Sequence, residues 1–60
     1  MRTVKLPSDL SMKIGSDLLE EVKNVKRMQE GIYRIFYKDG SWEEWYSLFN
    51  DWFLGEFSHL

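Results

Sequence analysis

The stretch that decides the fold is residues 32–46, Ile-Tyr-Arg-Ile-Phe-Tyr-Lys-Asp-Gly-Ser-Trp-Glu-Glu-Trp-Tyr. Its first part, residues 32–38, is β-branched or aromatic at almost every position, which is typical of a strand. The pair Asp39-Gly40 follows and indicates a turn. What comes after this turn decides the fold, because a second strand and a helix are both compatible with Ser41 and the residues beyond it.

A hairpin over residues 32–46 is one alternative. A two-residue turn at Asp39-Gly40 would place Ile35 opposite Glu44 and Phe36 opposite Glu43, which mixes apolar and charged side chains on both faces. The hairpin therefore remains open but is the less favoured interpretation.

A helix over residues 42–54 is the other alternative, with Ser41 as N-cap, Glu44 completing a capping box and Gly55 as the stop. At 100° per residue, seven apolar side chains fall within an arc of about 160°, and the polar ones fall outside it. These seven are Trp42, Trp45, Tyr46, Leu48, Phe49, Trp52 and Phe53. The angular pattern favours the helix.

The rest of the chain extends this pattern towards the N-terminus. Residues 2–6 alternate and end at Pro7, which predicts a short strand. Leu18, Leu19, Val22 and Val25 share one side of a helical wheel and predict a helix over residues 17–28. We therefore expect one α+β domain over residues 1–60, with the order strand (2–6), helix (17–28), strand (32–38), helix (42–54).

The inventory of reactive side chains argues against an enzyme. There is no cysteine, and the single histidine, His59, lies one residue from the end of the sequence. Glu43 and Glu44 are neighbours, which point about 100° apart on a helix and cannot act as a facing acid–base pair. The glycines do not have the spacing of a phosphate-binding loop. We expect no catalysis, no cofactor and no metal site.

The aromatic and acidic residues share the second half of the chain. All ten aromatic residues lie between Tyr33 and Phe57, and residues 31–60 carry two Lys/Arg against five Asp/Glu, whereas residues 1–30 carry six against five. Phe36, Trp45, Phe49 and Trp52 are the expected core. The predicted protein-binding residues are Tyr33, Tyr37, Trp42, Tyr46, Phe53 and Phe57, with Glu43, Glu44 and Asp51 as an acidic rim.

These observations favour a small regulatory or inhibitory protein, of a bacterial or phage type, that binds another protein. So short a chain buries little surface and has no disulfides, so we also expect a homo-oligomer. A subunit of a larger assembly is a further alternative. The lack of cysteine, of a signal sequence and of a long apolar segment favours the cytoplasm.

A dimeric DNA-binding repressor is the alternative from a different class. Residues 2–10, Arg-Thr-Val-Lys-Leu-Pro-Ser-Asp-Leu, resemble the opening of ribbon-helix-helix repressors. The resemblance implies that the N-terminal strand enters the major groove, with Arg2, Lys5 and Thr3 as contacts. It ends there, because that family continues with two helices while residues 32–38 favour a strand. The acidic second half also disfavours a phosphate backbone.

Overall fold

The computed structural model describes residues 5–59 and consists of two short helices followed by a four-stranded sheet. The elements are α1 (Ser8–Ile14), α2 (Ser16–Leu19), β1 (Val22–Gln29), β2 (Ile32–Tyr37), β3 (Trp42–Leu48) and β4 (Asp51–Ser58). The strands form an antiparallel meander in the order β1-β2-β3-β4. The expected strand over residues 32–38 is present as β2, but the strand-helix-strand-helix α+β fold was wrong.

The helix predicted over residues 17–28 is replaced by α2 and β1. Val22 and Val25 lie opposite Tyr37 and Ile35, and the register shifts between Val22 and Asn24. This β-bulge places two residues that are three positions apart on the same face of the sheet. The spacing that favoured a helix is therefore produced by an irregular strand.

The helix predicted over residues 42–54 is replaced by the hairpin of β3 and β4. Phe49 and Asn50 form its two-residue turn with φ values of 53° and 58°, the combination of a type I′ turn. Gly55 is not a helix stop but lies at the register shift within β4. The Ser41 hydroxyl donates a hydrogen bond to Asp39 Oδ1 at 2.6 Å instead of capping a helix.

The β2–β3 hairpin forms in a register that a two-residue turn does not allow. The Tyr37 amide donates to the Ser41 carbonyl at 2.9 Å, so residues 38–40 form a three-residue loop, and Gly40 has φ 93°. The longer loop moves the register by one residue, which pairs Phe36 with Trp42 and Arg34 with Glu44. Ile35 still lies opposite a carboxylate, Glu43, so the observed register does not separate apolar from charged side chains between the two faces.

The core lies between the helices and one face of the sheet. Leu10 and Ile14 of α1 pack against Ile35, Tyr37 and Trp52, with Leu10 and Ile35 fully buried. The expected core residues Trp45 and Trp52 do contribute, and Phe36 is half-buried. Phe49 was wrongly placed in the core, because it lies at the tip of a turn and is 88% exposed.

The features predicted for the N-terminus, a strand and DNA contacts, lie largely outside the residues that the structure describes. The strand expected over residues 2–6 and the contacts implied for Arg2 and Thr3 rest on residues that the structure does not describe, while Lys5 and Leu6 lie outside any strand. After α1 and α2 the chain continues as four strands. None of the helices in residues 5–59 is long and apolar enough to cross a membrane.

The left-handed conformation of Gly40 gives a test of the β2–β3 register. Replacing Gly40 by Ala should lower the free energy of unfolding by about 1–2 kcal/mol, because an L-residue at this φ brings its Cβ too close to the backbone. Lys38→Ala, an exposed position in the same loop, is the matched control and should change it little. Urea denaturation of both variants measures the difference, and equal stabilities would contradict this role for Gly40.

Candidate functional site

The face of the sheet that points away from the helices is not covered by any element in residues 5–59, and we call it the open face. Strand alternation and the register assign ten large side chains to it: Lys26 from β1, Ile32, Arg34 and Phe36 from β2, Trp42, Glu44, Tyr46 and Leu48 from β3, and Phe53 and Glu56 from β4. None of them belongs to the core cluster. The open face is therefore an aromatic surface with one ion pair near its middle.

Arg34 organises the centre of the open face. Its Nη2 and Nε atoms donate to Glu44 Oε1 at 2.9 and 3.2 Å. Its guanidinium carbon lies 4.1 Å from the centroid of a Trp42 ring, which is within cation–π distance. Two partners hold the long Arg34 side chain in place, so less rotamer entropy remains to be lost when another molecule binds there.

Tyr46 and Phe53 form an aromatic pair near the β3–β4 turn. Their ring centroids are 5.7 Å apart, and 37% of Tyr46 and 39% of Phe53 remain exposed. Gly55 makes room for this arrangement, because a Cβ there would come 3.1 Å from the Tyr46 ring. The Tyr46 ring thus covers the backbone at the irregularity in β4.

The β3–β4 turn adds exposed apolar groups at the end of this surface. Leu48 and Phe49 are both exposed, and Phe49 has the left-handed backbone that bulky L-residues rarely adopt. Asp51, on the other side of the turn, accepts a 3.2 Å hydrogen bond from Lys13 Nζ of α1. Sequence reasoning missed this turn, although Asn50 and Asp51 are turn-forming residue types between two strand-like runs.

The predicted binding residues are thus divided between two sides of the sheet. Trp42, Tyr46, Phe53 and Glu44 lie together on the open face, and Asp51 lies at the turn. The other four, Tyr33, Tyr37, Glu43 and Phe57, lie on the helix side. Of these, Tyr33 packs edge-on against Trp52, with ring centroids 5.8 Å apart. Phe57 is exposed, and its ring centroid lies 5.0 Å from that of His59.

Glu43 has a structural environment on the helix side. Its Oε1 accepts hydrogen bonds from the Tyr37 hydroxyl at 2.8 Å and from Trp45 Nε1 at 3.2 Å. Burial, and then this hydrogen bond and the negative charge of Glu43, raise the pKa of Tyr37 well above its usual range. Because both donors belong to the same chain, these hydrogen bonds stabilise the fold and give Glu43 a structural role.

A cavity of about 280 Å³ opens beside these residues and contains serine, histidine and aspartate side chains. Its lining consists of Leu18, Glu21, Tyr37, Asp39, Ser41, Glu43 and His59. The Ser41 hydroxyl and amide both donate to Asp39 Oδ1, and these bonds lower the pKa of Asp39. A nucleophilic serine instead needs a base that accepts its proton, and no hydrogen bond in residues 5–59 joins His59 to Ser41. The hydrogen bonds between Ser41 and Asp39 therefore stabilise the loop between β2 and β3.

Metal-binding geometry does not arise among the residues that the structure describes, because they contain no group of three or more potential His, Cys, Asp or Glu ligands. The Asp51 carboxylate is likewise used locally. Its hydrogen bonds from the Trp52 amide and from Lys13 lower its pKa.

Comparisons with known proteins found no matching family model, no matching curated protein and no matching solved structure. The chain's own surfaces are therefore the basis for any function proposed for it.

Because of the burial of Tyr37 and its contact with Glu43, the free energy of unfolding depends on pH in the alkaline range. The folded state keeps the Tyr37 proton at pH values where the unfolded chain, with a pKa near 10.0, releases it. The free energy of unfolding should therefore fall as pH rises above about 10.

Tyr37→Phe tests this contact. It should cost about 1 kcal/mol at neutral pH through the lost hydrogen bond, and its deficit should narrow above pH about 10. Urea unfolding across pH measures both effects. Tyr33→Phe, whose hydroxyl has no recorded partner in residues 5–59, is the control. A constant deficit at every pH would contradict the assignment.

Proposed function

We propose that this chain is a small non-enzymatic regulatory or inhibitory protein that binds another protein through the open face. The observation that carries the proposal is the one-sided coverage of the sheet, which leaves Trp42, Tyr46 and Phe53 on a surface without a partner in residues 5–59. Trp and Tyr are enriched among the residues that dominate binding energy at protein interfaces. Contiguous exposed apolar patches of this kind commonly mark interaction sites.

The chemistry of the open face favours a protein partner over a nucleic acid. Glu44 and Glu56 lie opposite each other on β3 and β4, and no Lys or Arg follows Lys38 in the sequence. Lys26 of β1 lies opposite Arg34 and adds one cation to the face, but its β3–β4 part repels phosphate backbones and does not repel neutral or basic protein surfaces. The Arg34 side chain is already paired with Glu44, so it supports the shape of the surface and offers little free positive charge.

The backbone of Phe49 supports the same interpretation. A bulky residue held at φ 53° is strained, and its 88% exposed ring gains little from the fold in return. Residues held in strained backbone conformations cluster at ligand-binding and active sites. We therefore include Leu48 and Phe49 in the proposed binding surface.

The remaining expectations accompany this proposal. We propose a cytoplasmic location, no catalysis and no cofactor, on the residue inventory alone. The homo-oligomer expected from the small size also stays a prediction, and sedimentation over a range of protein concentrations tests it.

Trp42→Ala combined with Tyr46→Ala tests the open face. The double variant should weaken partner binding by at least tenfold, on the order of 1.4 kcal/mol, because it removes two large anchors. Met12→Ala removes an exposed apolar side chain from α1 and is the control. The measurement is capture of a partner from host lysate, then titration of that partner against each folded variant. Full affinity in the double variant would refute the proposal.

Phe49→Asn separates binding from stability. Asparagine tolerates the left-handed conformation, so the free energy of unfolding should rise by about 0.5–1 kcal/mol. Binding of the same partner should weaken, because the exposed ring is lost. Lower stability, or unchanged affinity, would show that Phe49 does not have the proposed role.

A further inference from the structure

The two edges of the sheet differ in how well they are protected against another strand. β1 carries Lys23, Lys26 and Arg27, and its register shifts twice. Lysines and bulges on edge strands are devices that prevent pairing with other chains. β4 has one register shift and no Lys or Arg. Its exposed apolar residues are Phe53, Leu54 and Phe57.

The backbone of β4 has hydrogen-bonding groups that point outward. In a two-residue hairpin the closing pair, here Leu48 and Asp51, exchanges both hydrogen bonds, and the bonds alternate from that pair onward. The amides of Trp52 and Leu54 therefore face away from β3. The Trp52 amide is occupied by Asp51 Oδ1 at 2.8 Å, which agrees with this assignment. The Leu54 amide is directed towards the free edge.

The charge of the β3–β4 hairpin selects among possible occupants of this edge. β4 contributes Asp51, which pairs with Lys13 of α1 at 3.2 Å, and Glu56, which lies opposite Glu44 of the neighbouring strand. Arg34 neutralises Glu44, and residues 39–59 contain no Lys or Arg that could neutralise Glu56 from within the hairpin. An incoming strand with lysines or arginines complements Glu56 at this edge, whereas β4 of a second copy adds a second Glu56 that is likewise not neutralised.

We propose that the β4 edge receives an extended, Lys/Arg-rich segment of another protein as a fifth strand of the sheet. Main-chain hydrogen bonds to β4 supply affinity in this mode, and alternate side chains of the incoming segment supply specificity. The inference deepens the proposed function, since it names the chemistry of the partner. It places the contact on the β4 edge, beside the open face.

A backbone modification tests the edge without altering any side chain. A synthetic chain with N-methyl-Leu54 loses the outward amide hydrogen, and N-methyl-Arg27 is the matched control. Arg27 lies opposite Tyr33 and two residues beyond Val25, whose outward amide is bonded by Asn24 Oδ1 at 2.9 Å. The control therefore blocks the edge of β1 in the same way.

The probe is a fluorescently labelled seven-residue peptide that alternates Lys and Val, and its anisotropy reports binding. The unmodified chain and N-methyl-Arg27 should bind it, and N-methyl-Leu54 should bind about tenfold more weakly. A Glu/Val peptide of the same length should not bind. Hydrogen exchange at the Leu54 amide should slow when the Lys/Val peptide is added.

Other results would overturn the proposal. Failure of the Lys/Val peptide to bind, or an equal loss in both methylated chains, would show that β4 is not a receiving edge. Salt-sensitive self-association abolished by N-methyl-Leu54 would show that the occupant is a second copy. Met12→Ala, which changes only an exposed side chain of α1, should retain peptide affinity. Full binding by N-methyl-Leu54, with loss of peptide binding in the Trp42→Ala, Tyr46→Ala variant, would refute the edge while leaving the open face as the binding site.

Discussion

The three-residue loop at residues 38–40 is the constraint on which the rest of the structure depends. Because Gly40 adopts φ 93°, the chain reverses between Tyr37 and Ser41, and β3 pairs with β2 one residue away from the two-residue register. A shift of one residue exchanges the faces of a strand. In the observed register Ile35, Tyr37 and Trp45 meet the helices, while Phe36, Trp42 and Tyr46 collect on the opposite side.

The helices are too short to cover more than one face. α1 has seven residues and α2 has four, so together they cover the side that contains Ile35 and Trp52. Antiparallel sheets commonly place one face against a core and the other in water. Here the second face carries Trp42, Tyr46 and Phe53 among its charged side chains, and these aromatic residues connect the fold to the proposed function.

Composition indicated which residue types were expected to bind a partner, but it did not indicate which face of the sheet each residue occupies. Trp42, Tyr46, Phe53 and Glu44 do gather on the open face, whereas Tyr37 and Glu43 bond to each other on the helix side. Neighbouring residues in a strand point to opposite faces, so Glu43 and Glu44 have different environments. Phe49 was assigned to the core because a helical wheel treats a turn residue as part of the periodic pattern.

The sequence by itself determined the strand at β2, the turn after it, the absence of cysteine and the concentration of aromatic and acidic residues in the second half. Tertiary structure decided whether residues 17–28 and 42–54 are helical. Local spacing favoured helices, but the bulge near Val22 and the turn at Phe49 and Asn50 imitate that spacing in strands. Pairing with β2 satisfies backbone hydrogen bonds and buries Val25, and these long-range contacts override local periodicity.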